Sequence, residues 1–140
     1  MIRQLAHNCF FSDNVEGMRH FYSEILGLNV KFTLKNQAGI DFGYYFECGN
    51  GTFIELFDKE KAVAEWGGDN NPLLHGNYFR HFCLEVVNLH DFVKQIASKS
   101  WEISGITLGK DHALQAWISD ADGNLIELMQ YTNESLQLQK

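Results

Sequence analysis

The chain has 140 residues, 45% hydrophobic and 14% aromatic, with one proline, a formal net charge of −7 and a pI of about 5.2. This is enough apolar material for one compact domain with a sizeable core, and no low-complexity tract marks a segment that composition would keep unfolded. The acidic balance lacks the basic footprint by which proteins bind nucleic acid or an anionic membrane. No stretch approaches the roughly 18 apolar residues of a membrane span, and the opening MIRQLAHN has no apolar run of signal length, so the expectation is a cytoplasmic protein whose partner is a small molecule.

Residues 4–11 read as a strand. Asp13 and Glu16 then form a capping-box-like pair ahead of Val15, Met18, Phe21, Tyr22, Ile25 and Leu26, which share one helical face until Gly27 stops it. Strands follow at 28–35, 42–48 and 52–58, separated by the turn-like NQAG and CGNG. A connector, 59–78, carries a helical stretch from Lys59 to Trp66 and then the breaker cluster GGDNNP. A strand over 79–86 leads to Asn88, a predicted N-cap, and to Leu89, Phe92, Val93, Ile96 and Ala97 on one helical face. Strands at 103–109, 113–119 and 124–131, the last entered through the turn DADGN, complete the pattern before a polar tail, 132–140. The order is βαβββ twice: module 1–58, connector, module 79–131, all within a single domain 1–140. Cys9, Cys48 and Cys83 are odd in number, lack CxxC spacing and read as reduced, small, buried residues.

The fourth strand of each module poses the same problem. In TFIELF alternate side chains share a face, which puts Glu55 between Phe53 and Phe57; in LIELM Glu127 lies between Leu125 and Met129. An ionised carboxylate on an apolar face costs several kcal/mol unless it is at an edge, protonated, paired or bound to a metal, on the order of 3–5 kcal/mol when a partner is removed. Each glutamate is preceded by a histidine on a strand with a Cys two residues later: His7 in LAHNCF, 48 residues before Glu55, and His81 in RHFCLEV, 46 residues before Glu127. A lone strand histidine is more often a hydrogen-bonded core residue than a ligand. Four such residues in two matching modules reverse that expectation, because a repeat fixes architecture.

The sequence resembles the vicinal oxygen chelate superfamily, which includes glyoxalase I and the bleomycin-resistance proteins. HNCF…FYSEILGL after the first strand, FIEL on the fourth, HFCLEV on the fifth and DADGNLIEL on the eighth carry the resemblance, and it covers nearly the whole chain. It implies an α+β fold in which two tandem βαβββ modules form a curved, cup-like mixed sheet with helices outside. It also implies one divalent metal per site, held by His7, Glu55, His81 and Glu127, with Glu127 or Glu55 as the base, and pairing of chains as a homodimer. Two imidazoles and two carboxylates suit Zn²⁺, Ni²⁺, Co²⁺, Fe²⁺ or Mn²⁺ and leave positions for substrate. A metal there polarises a carbonyl while a glutamate takes a proton from carbon, which makes a glyoxalase-I-like lyase or isomerase the expected activity. The alternatives within the superfamily are an extradiol-type dioxygenase, a thiol or water transferase of the fosfomycin-resistance kind, and a resistance or ligand-binding protein.

Departures from the family narrow the substrate. Phe11 stands where bacterial glyoxalase I enzymes commonly carry a glutathione-binding arginine, and Asp58 and Lys59 stand where an asparagine is usual. Arg3, Lys31, Arg80 and Lys110 are the cations that could substitute, and the abundant aromatics favour a ligand with an apolar or ring-like portion. Cys9 and Cys83 share the faces of His7 and His81 but are not in the ligand set. His20, His90 and His112 read as solvated, and His75 as a surface-loop residue.

Overall fold

The computed structural model describes residues 4–67 and 80–139. It divides into two compact units, Met1–Asn77 and Tyr78–Lys140. Each contains a four-stranded mixed sheet, and the architecture is α+β with tandem βαβββ order.

In the first unit β1 (His7–Ser12), β2 (Asn29–Lys35), β3 (Asp41–Gly49) and β4 (Thr52–Asp58) assemble in the order β1-β4-β3-β2. β1 runs parallel to β4, the other pairs are antiparallel. A parallel pair needs a long crossover, and α1 (Val15–His20) with the β2–β3 hairpin supplies it. The cap of α1 differs from expectation. Asn14, not Asp13, is the N-cap, accepting from the Gly17 amide at 3.3 Å, while the Ser12 hydroxyl accepts from the Asn14 amide at 2.8 Å. Glu16 is taken by Arg19, 2.8 Å away, so no capping box closes. The helix continues as a π-helical stretch, Phe21–Ile25, and ends at Gly27, whose φ of 75° suits the absence of a side chain. Met18, Phe21 and Tyr22 are fully buried, with the Tyr22 ring 5.4 Å from Phe46 on the sheet; each such side chain contributes about 1.5–3 kcal/mol. Helix α2 (Lys59–Trp66) follows β4 directly, capped by Asp58, and covers Phe57 and Phe42 with Ala62.

The second unit repeats the plan with β5 (Phe82–Glu85), α3 (Leu89–Ser98), β6 (Thr107–Leu108), β7 (Leu114–Ser119) and β8 (Leu125–Gln130), in the order β5-β8-β7-β6. Asn88 caps α3 by accepting from the Asp91 amide at 3.1 Å, and the Leu89 amide donates to Gln130 on β8 at 2.7 Å. Leu89 and Ile96 are buried with Ala116, Ile118, Ile126 and Leu128. The strand expected over 103–109 is broken. Ile103 makes a single bridge to Ile118, and only Thr107 and Leu108 pair further along. The reason is local: the Ser104 hydroxyl accepts the Trp117 amide at 2.8 Å, taking the donor that a continuing strand would have used. Among the described residues no helix is long and apolar enough to cross a membrane.

Candidate metal centre

Both sheets carry the same row of side chains on the face away from α1 in the first unit and from α3 in the second. In the first, Glu55 on β4 is flanked in register by Cys9 on β1 and Tyr45 on β3. In the second, Glu127 on β8 is flanked by Cys83 on β5 and Trp117 on β7. The histidine two residues before each cysteine reaches diagonally to the carboxylate. His7 Nδ1 lies 3.3 Å from Glu55 Oε1, and His81 Nε2 lies 3.2 Å from Glu127 Oε2. The glutamate side chains are 12% and 14% exposed, so each depends on its neighbours rather than on bulk water.

Those neighbours differ between the halves. Cys9 and Tyr45 flank Glu55 in register; burial, then the Glu55 charge, push the thiol up to about 11 and raise the phenol too. The Tyr45 ring stacks on Phe32 at 4.2 Å. At Glu127, Trp117 puts an indole where Tyr45 puts a phenol, and its ring meets His81 edge to face at 4.8 Å. Cys83 is pushed up to about 12 by burial and by the charges of Glu127, Asp111 and Glu85. All three cysteines are free, yet Cys9 and Cys83 are exposed and Cys48 is half-buried, which corrects the expectation that they would be buried. They stand on the face that α1 and α3 leave uncovered.

Among the described residues no three His, Cys, Asp or Glu side chains gather into a group able to hold a metal ion. Each unit brings together one pair, His7 with Glu55 and His81 with Glu127. The pairs nevertheless fit a cation. Two donor atoms each about 2.1 Å from a metal, at an angle between square and tetrahedral, stand about 3.0–3.4 Å apart, which matches both separations. His81 also has a buried Nδ1 without a hydrogen-bond partner among the described residues, a costly state for a polar ring nitrogen. His20, His90 and His112 are exposed, as expected, and His75 and Arg3 lie outside the described residues. Lys31 is paired with Glu47 at 3.4 Å. Tyr45 and Trp117 escaped the sequence reading; folding DADGN as a hairpin about Asp122 pairs Trp117 with Glu127 and was the available signal.

Comparison with known proteins gives the family and supports the fold. The family model of the Glyoxalase/Bleomycin resistance protein/Dioxygenase superfamily matches residues 4–128. The chain belongs to that superfamily. No curated protein sequence matches it. Solved structures similar in fold to this superfamily member include lactoylglutathione lyase from Agrobacterium tumefaciens, at 18% identity over 91% of this chain and 92% of that one, TM-score 0.66. An antibiotic binding protein from Streptomyces sp. CB03234 matches at 19% identity over 94% and 98%, TM-score 0.71. A glyoxalase family protein from Enterococcus faecalis matches at 16% identity over 91% and 97%, TM-score 0.67.

Proposed function

We propose that this chain is a metal-dependent lyase or isomerase of the glyoxalase I type, acting next to the carbonyl of a small molecule. His7, Glu55, His81 and Glu127 together would hold one divalent cation, Zn²⁺, Ni²⁺, Co²⁺, Fe²⁺ or Mn²⁺. The observation that carries this reading is the repetition of one His–Glu pair, at 3.3 and 3.2 Å, in the same row of two sheets. When bound there, such a cation polarises a carbonyl oxygen and acidifies the adjacent C–H. Glu127 is the proton carrier in this reading: its carboxylate takes the proton from one carbon and returns it to the neighbouring one. Glu55, with Cys9 and Tyr45 in register on either side, is assigned the role of ligand in this reading. Free thiols suit the reducing cytoplasm, and the working form is a homodimer, so light scattering at micromolar concentration should give twice the chain mass of 16.1 kDa. A particle of single-chain mass removes the dimer.

The reaction is tested by solvent exchange. Metal-loaded protein in D₂O should incorporate deuterium into an α-hydroxyketone or a hemithioacetal, and Glu127→Gln should lose that exchange while keeping part of its metal. Because Phe11 replaces the arginine of the glutathione site, methylglyoxal with glutathione should turn over poorly. Absence of exchange across hemithioacetals of several thiols and hydroxyketones sinks the lyase reading, and efficient catechol cleavage with Fe²⁺ replaces it with a dioxygenase.

A ligand-binding role without turnover is the second reading. It is favoured by Phe11 and Phe32, 49% and 45% exposed on the face around Glu55, and by the likeness in fold to an antibiotic binding protein. Tight binding of an aromatic compound by metal-free protein, with no exchange in any metal form, would select it.

A further inference from the structure

The second unit contains an open-sided cavity of about 510 Å³, within the size range that takes a small organic molecule. The residues that line it include Trp101, Trp117, Leu125, Glu102 and Asp120, and among the described residues no lysine or arginine lines it. Trp101 is fixed in place by its indole N–H, which donates to the Ser119 carbonyl at 2.9 Å. Asp120 is 4% exposed and fixed as well, accepting from the amides of Asp122 and Asn124 and from the Asn124 side chain. Trp117 belongs both to the cavity wall and to the surroundings of His81, whose ring lies 4.8 Å away. Leu125 shares its strand face with Glu127, two residues on. The cavity therefore adjoins the His81–Glu127 pair.

The chemistry of the walls selects a ligand. Two indoles offer flat polarisable surface, and an indole face attracts a cation. The exposed Glu102, in a chain of net charge −7, adds a field that favours cations and repels anions. We propose that this cavity binds a flat aromatic or alicyclic body that carries a positive charge, an aromatic amine in the simplest case. That the bound molecule presents its reacting end to His81 and Glu127 rests on the metal reading; the binding itself does not. An anionic partner such as a peptide thiol with two carboxylates is disfavoured here for a reason separate from Phe11.

The chain has three tryptophans, and Trp66 is the one outside the cavity wall. In a Trp66→Phe variant the fluorescence reports only Trp101 and Trp117. Metal-free Trp66→Phe protein is titrated with three probes of matched shape: phenethylammonium, phenethyl alcohol and 3-phenylpropionate. Saturable quenching is expected, tightest for the ammonium and weaker by about tenfold or more for the carboxylate. That preference should shrink several-fold in 0.5 M salt and in Trp66→Phe/Glu102→Gln, whose exposed second substitution leaves the fold intact. Equal affinity for ammonium and carboxylate, or no saturable change with any probe, overturns the proposal. The same metal-free samples titrated with Zn²⁺ by calorimetry separate the two ideas. Probe binding without zinc binding leaves the cavity and removes the metal site, and zinc binding without probe binding does the reverse.

Discussion

Gly43 on β3 lies beneath the ring of Phe57, its register partner on β4. A methyl group on Gly43 would stand 2.6 Å from Phe57 Cδ1 and closer still to Cε1. The ring has nowhere to go, because it is 2% exposed and packed against Phe42, Trp66, Tyr45 and Phe11. Gly43→Ala should therefore cost about 1–3 kcal/mol of stability, read in a urea or thermal melt. Gly43→Ala/Phe57→Leu should lose less than the two single variants added together, since the smaller side chain vacates the clash. An unchanged melt for Gly43→Ala would show that the aromatic cluster shifts freely.

Asp58 ends β4 and caps α2, accepting from the Lys61 amide at 3.0 Å and pairing with the Lys61 ammonium. Burial alone would raise its carboxyl, but the bonds from Lys61 outweigh it and the net direction is down. A carboxyl lowered in the folded state stabilises fully above its unfolded pKa, and that contribution is lost as pH falls through the folded value. Acidification from pH 6 to pH 3 should thus destabilise the wild-type protein more than Asp58→Asn, which keeps a capping oxygen but has nothing to titrate. Asp58→Ala should cost about 1 kcal/mol at neutral pH. Parallel acid profiles for the wild type and Asp58→Asn would remove the cap from the account of acid sensitivity.

Cys9 and Cys83 are exposed yet should react sluggishly. With pKa values pushed up to about 11 and about 12, first by burial and then by Glu55 or by Glu127 with its acidic neighbours, only a tiny thiolate fraction exists at pH 7.5. Iodoacetamide labelling of metal-free protein should rise about tenfold per pH unit between pH 8 and 10, where an ordinary thiol levels off near 8.5. Glu55→Gln removes a charge that favours the protonated thiol, so Cys9 should label faster in that variant at pH 8, with Cys83 unchanged. Peptide-resolved mass spectrometry distinguishes the two sites.

If the proposed centre is right, His81→Ala and Glu127→Ala should each abolish binding of a divalent cation at about one per chain, since each removes one of the four proposed donors. His20→Ala, an exposed helix residue, should bind normally. Because a ligand that binds only the folded state stabilises it, saturating metal should also raise the melting temperature of the wild type and of His20→Ala, and of neither site variant. Elemental analysis that finds no metal after reconstitution refutes the centre.

Much of this fold was legible because each level of the sequence agreed with the next. The period-2 runs around Glu55 and Glu127 and the 3.6-period faces of Met18, Phe21 and Tyr22 and of Leu89 and Ile96 all appear as strands and buried helix faces. What misled were local hydrogen-bond choices. Asn14 displaced Asp13 as the cap because Ser12 turns its backbone, and Ser104 interrupted a strand by accepting one amide. Such side-chain bids for backbone partners leave no periodic trace. Repetition in the sequence singles out His7 with Glu55 and His81 with Glu127, which the structure brings together as two pairs, whereas Tyr45 and Trp117 leave no such trace because strand register, not composition, sets which aromatic meets the carboxylate. The cysteines were misplaced for the same reason: hydrophobic character does not say which face a helix will cover.

In each unit the carboxylate and the imidazole belong to strands that meet by different routes. Glu55 and Glu127 lie in hairpins, joined to β3 and β7 by short turns, and hairpins close within about 1–10 μs. His7 opens β1 and His81 immediately precedes β5, and these strands reach β4 and β8 only in parallel, after a helix and two more strands have been laid down between them. Closing that larger loop carries the greater entropy cost and comes late. The carboxylate is thus placed before its imidazole partner, so that capture of an ion through both donors, if the proposed centre binds one, would report that the parallel strand has docked.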